Sequence, residues 1–139
     1  MALSKKITDN RGIVANYHKI YSVINNGGDL TVEVHSYASE DYRNKENNAK
    51  KLFERQFEIG EKLSELSAIP VEKRTKEDTE TIEKLFAESE RLNINANDTD
   101  CAICKATYTL RLAEGEEVSF KQIYNKLKAL DAFKGAKDI

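Results

Sequence analysis

Two periodicities divide this chain. Apolar positions alternate with polar ones from about residue 13 to residue 37, the two-residue period of a half-buried strand. From residue 49 to residue 92 they recur at three and four, the period of an amphipathic helix, and "CKATYTLRL" restores the alternation at 104–112. A last helical stretch, "SFKQIYNKLKAL", follows. The order strand, strand, helix, helix, strand, helix predicts an α+β fold. It consists of a three-stranded antiparallel sheet, a C-terminal helix packed on its apolar face, and a helical hairpin inserted between strands two and three.

The first two strands, "RGIVANYHKIYSVI" and "DLTVEVHSYAS", are separated by "NNGG". Asn26-Gly27 is a type I′ hairpin signal, because both central residues of that turn must accept positive φ. A turn centred there makes facing residue numbers sum to 53, so Val23 opposes Leu30, Tyr21 opposes Val32 and Lys19 opposes Val34. Tyr17, Ala15 and Ile13 continue that side, which is the expected core face. His18 then falls opposite His35 on the outer face, beside Ile20 and Glu33. Two imidazoles without a third ligand make a weak metal site, so a solvated polar face is the expectation there.

In the helical middle, Ala49, Leu52, Phe53, Gln56, Ile59, Leu63 and Leu66 line one stripe, with Phe57 beside it. Pro70 ends this helix. Thr75 with Asp78 three residues later marks the start of the second, whose apolar side is Ile82, Leu85, Phe86, Ala87 and Leu92. The two stripes predict an antiparallel hairpin over 42–95, within a single domain covering 1–139. In the last helix Ser119 and Gln122 form a capping box, and Phe120, Ile123, Leu127 and Leu130 are the buried stripe.

The sharpest chemical question is "CAIC", Cys101 and Cys104. Inside a regular strand the two have opposite parity and point to opposite faces. Redox Cys-x-x-Cys pairs sit at a helix N-terminus, whereas this one leads into a strand. With His18 and His35 the chain holds the arithmetic of a Cys2His2 zinc site, but nothing in the spacing requires the four to meet. Ordinary packing is the expectation, with no metal and no cofactor. "NDTD" at 97–100 lacks the glycine and distal glutamate of a calcium loop and reads as a polar turn.

Composition narrows the function classes. A formal net charge of -2 across 139 residues argues against a nucleic-acid partner, and no apolar run reaches the length of a membrane span. The start "MALSKKITDN" lacks the apolar core of a secretion signal, so cytoplasmic residence is expected. No phosphate loop, nucleophile elbow or His-Glu-x-x-His helix is present, and neither histidine belongs to such a motif. With no catalytic residues to assign, the expectation is a binding protein and not an enzyme, using the helical hairpin and the sheet edges as contact surfaces.

The ends of the chain resemble a family of small proteins encoded near the tail-tip and baseplate genes of long-tailed phages of Gram-positive bacteria. "ITDNRGIVANYHKIYSV", "DLTVEVHSYAS" and the closing "TYTLRLAEGEEVSFKQIYNKLKALDAFKGAKDI" carry that resemblance, about half of the residues. The helical middle departs from the family pattern and looks like an insertion. The resemblance implies a phage tail or baseplate accessory protein. It would be assembled in the host cytoplasm and act through contacts with other tail proteins or with itself. A small regulatory or inhibitor protein that binds a host factor suits the same residues.

Overall fold

A computed structural model describes all 139 residues. The elements run β1 (Leu3–Thr8), β2 (Val14–Asn25), β3 (Asp29–Tyr37), α1 (Glu40–Ser67), α2 (Lys76–Arg91), β4 (Cys104–Arg111), α3 (Phe120–Ala129) and β5 (Lys137–Asp138). The fold is α+β, but the sheet has five antiparallel strands in the order β4-β3-β2-β1-β5 instead of the three expected. One added strand, β1, hides in sequence because its pairing with β2 shifts register between Ser4 and Ile7, across the Lys5-Lys6 dipeptide. The other, β5, is two residues long and pairs only with β1.

The chain divides into two compact units. One comprises Met1–Arg43 with Cys101–Ile139, and the other is Asn44–Asp100. In the first, α3 buries Ile123, Tyr124 and Leu127 against a core of Leu3, Ile20, Leu30, Val32, Val34, Leu110 and Phe133. Its N-terminus carries the predicted capping box: Ser119 Oγ accepts from the Gln122 amide (3.3 Å), and the Gln122 side chain accepts from the Ser119 amide (3.2 Å). Phe120, expected in the buried stripe, is exposed, and Tyr124 takes a core position instead. The alternation of β4 holds, with Tyr108, Leu110 and Leu112 facing that core and Lys105, Thr107, Thr109 and Arg111 exposed.

The β2–β3 register differs from the predicted one. Positive φ falls on Gly27 (76°) and Gly28 (130°), not on Asn26, and the Asn26 amide donates to the Asp29 carbonyl (2.9 Å). Two consecutive glycines accept the left-handed region at less steric cost than asparagine, so the turn centre moves on by one residue. Facing residues therefore run Asn25↔Leu30 and Val23↔Val32 near the turn. Beyond an irregularity at Tyr21 they run Ile20↔Val34, Lys19↔His35 and His18↔Ser36. The extra residue at Tyr21 reverses which parity of β2 meets the core. Ile20 and Val23 both pack inward, and Tyr21 is exposed.

In the second unit α1 and α2 are joined through the short turn Val71–Lys73 and linked side by side by their side chains. Arg55 donates to both Glu88 carboxylate oxygens (2.6 and 2.8 Å), and the Gln56 amide donates to Ser89 Oγ (2.8 Å). Leu52, Gln56, Ile59, Leu63 and Leu66 follow the alternating four-and-three spacing of a coiled-coil seam, and all five are half-buried or buried. Thr75 caps α2 in the predicted box with Asp78, whose carboxylate accepts from the Thr75 amide (2.8 Å). That bond is the main reason the Asp78 pKa is lowered.

Candidate functional site

The corrected register separates the residues that sequence had placed together. His18 is fully buried on the α3 side of the sheet, its ring edge-on to Phe133 with centroids 5.4 Å apart. His35 lies on the opposite face, stacked on Tyr21 at 4.1 Å with ring planes 5° apart. The expected His18–His35 pair therefore does not exist. The cysteines divide in the same way. Cys101 packs with Ala2, Tyr17 and Tyr37, whereas Cys104 lines a cavity with Ile7, Ala106, Tyr108 and Phe133. Nowhere do three or more His, Cys, Asp or Glu side chains gather as metal ligands.

His18 has a partner that sequence distance concealed. Its Nε2 lies 2.7 Å from the Lys5 carbonyl, which can only accept, so Nε2 carries the proton and Nδ1 is left to accept. Ser36 Oγ, 2.8 Å from Nδ1, donates to it. Burial pushes the His18 pKa down, while the bond to the Lys5 carbonyl opposes that shift. A hydroxyl, a neutral imidazole and a carbonyl thus form a closed line through the sheet, and Ser36 also lines the cavity of about 150 Å³ that Cys104 borders. The line satisfies the buried polar atoms of both side chains.

On the opposite face the His35 Nε2 meets Glu33 Oε1 (2.8 Å), and the Ser22 hydroxyl donates to the other Glu33 oxygen (3.1 Å). The bond from His35 is the largest cause holding the Glu33 pKa below the usual carboxylate value.

An open apolar feature lies on the helical hairpin. Phe53, Phe57 and Phe86 are 46%, 68% and 55% exposed, although the periodicity placed Phe53 and Phe86 inside. The seam takes positions 52, 56, 59, 63 and 66, which turns Phe53 and Phe57 outward. Together with Gln56, Gly60, Glu61 and Ser64 they line a shallow groove along α1. Along the sheet, β4 and β5 are the two edge strands. The β4 edge is eight residues long, with Lys105 and Arg111 exposed. No helix of the protein is long and apolar enough to cross a membrane. Compared with family models, with curated proteins and with solved structures, the chain matches none.

Proposed function

We propose that this chain is a non-catalytic contact protein that works by presenting shaped surface to other proteins, as an accessory component of the tail-tip or baseplate region of a long-tailed phage. The observation that carries the contact role is the outward placement of Phe53, Phe57 and Phe86 on one helical hairpin. Clustered large apolar side chains left in water are the usual mark of a surface that is covered in use. What supports the phage setting is the resemblance of residues 7–23, 29–39 and 107–139 to that family. In a symmetric tail each contact can be weak, because repetition multiplies it.

Mass spectrometry of purified phage particles tests the reading. A fixed copy number of the chain per particle is the expected result. Absence from mature particles would overturn the structural role and favour a regulator or inhibitor of a host factor, which acts before assembly is complete.

A further inference from the structure

The exposed face of α1 has both a shape and a charge, and together they select what covers it. Phe53, Phe57, Gly60 and Ser64 follow one another at intervals of four, three and four, so they form one stripe along the helix. Its N-terminal half carries two aromatic rings, and its C-terminal half carries a glycine and a serine. The stripe is therefore stepped, with a ridge at Phe53 and Phe57 and a recess over Gly60 and Ser64, the residues that line the groove.

One flank of the stripe is acidic. Glu54, Glu61 and Glu65 lie about 60–110° round the helix from its centre, all exposed and none in an ion pair. Glu58, next on that flank, bonds Arg55 (3.0 Å). On the other flank the neutral Gln56 is tied to Ser89.

These charges decide between occupants. A second copy of the hairpin, paired antiparallel about a two-fold axis, would set Phe53 and Phe57 over the partner's Ser64 and Gly60, which fits by shape. The same two-fold axis brings like flank to like flank, however, and places Glu54 against Glu61 of the other copy twice over. Such like-charge juxtaposition selects against the pairing. A helix with lysine or arginine along one flank makes the opposite arrangement, with each cation meeting an unpaired glutamate.

We infer that the stepped, acid-flanked face of α1 docks a basic amphipathic helix of another protein, with large apolar side chains seated over Gly60 and Ser64. This inference rests on the contact role proposed above and names the chemistry of the partner.

The test uses the full chain and two synthetic 18-residue amphipathic peptides with the same leucine stripe, one flanked by lysine and one by glutamate. Binding is followed by isothermal titration calorimetry at low and high salt, with analytical ultracentrifugation of the protein alone. The lysine peptide is expected to bind and the glutamate peptide not to, with affinity falling as salt rises. Phe57→Ala should weaken binding by about tenfold or more, as truncation of an aromatic anchor does. The triple variant Glu54→Lys, Glu61→Lys, Glu65→Lys should reverse the preference between peptides. All three positions are exposed, and an unchanged far-UV circular dichroism spectrum verifies that each variant still folds.

Equal binding of the two peptides, or of neither, would overturn the inference. So would reversible dimerisation of the wild-type chain that Phe57→Ala abolishes, which would assign the face to a second copy. None of these outcomes depends on particle composition. A chain absent from phage particles that still discriminates the peptides would defeat the tail assignment alone.

Discussion

Replacing Tyr124 by phenylalanine isolates a single hydroxyl that mends the sheet where β1 runs out. The register of β1 against β2, Leu3↔His18 and Ser4↔Tyr17, carried two residues further sets Met1 opposite Ile20. Their backbones are bridged by a side chain, because Tyr124 Oη accepts from the Ile20 amide (3.1 Å) and donates to the Met1 carbonyl (3.1 Å). Burial raises the Tyr124 pKa, so the hydroxyl keeps its proton. In Tyr124→Phe the Met1 carbonyl retains the Lys19 ammonium (2.7 Å), but the Ile20 amide has no replacement acceptor. The expected loss is therefore the desolvation cost of one buried N–H, about 1–3 kcal/mol, and not the sum of two bonds. Urea unfolding followed by far-UV circular dichroism should show a lower midpoint with unchanged slope. Amide exchange at Ile20 should quicken by about tenfold or more. Tyr108→Phe is the control, since the Tyr108 hydroxyl makes no hydrogen bond and its ring remains against Phe133. A loss in Tyr124→Phe no larger than in the control, with Ile20 exchange unchanged, would refute the bridge.

Three further outcomes follow from the sheet unit. His18 is held neutral by burial, with its folded pKa below the ordinary histidine value of 6.5, so the unfolded chain binds the extra proton first as pH falls. Stability should be full above about 6.5 and decline below it, with a slope of up to about 1.4 kcal/mol per pH unit until the folded pKa is reached. His18→Gln should flatten that window in urea titrations at several pH values, and an unaltered slope would count against the assignment. Ser119→Ala removes the oxygen that accepts from the Gln122 amide and should cost about 1 kcal/mol in thermal or urea unfolding. Cys101→Ser with Cys104→Ser should leave metal content unchanged, because the thiols face opposite sides of the sheet. Inductively coupled plasma mass spectrometry of the wild-type chain should find no stoichiometric zinc, and a value near one per chain would reverse that conclusion.

Features set by neighbouring residues were legible in the sequence. The boxes at Thr75 and Ser119 depend on positions three apart, and the alternation of β4 on a single uninterrupted strand, so local chemistry was enough to place them. Register was not legible, because it depends on a choice between adjacent turn centres and on an extra residue at Tyr21 that no local pattern announces. Every error about the histidines descends from that shift. Once Ser36 instead of His35 faces His18, the pair dissolves and the hydroxyl–imidazole bond appears. The hairpin shows a different limit. Periodicity correctly found a helix with a wide apolar stripe, yet two adjacent stripes, the seam and the phenylalanine face, were read as one. Periodicity counts apolar positions but does not say which of them another helix covers.

The chain leaves β3 after Tyr37 and returns at Cys104, which pairs directly with Ser36. The stem of everything between is thus one strand spacing wide, about 5 Å, a gap that a turn of about two to five residues can close. Closing a folded segment whose ends already lie side by side costs the sheet little, whatever the segment's length. The hairpin is in this sense a cassette. It can be shortened, extended or exchanged while Leu30, Val32, Val34 and Leu110 keep their neighbours, so the sheet unit tolerates wide change in what is spliced into it.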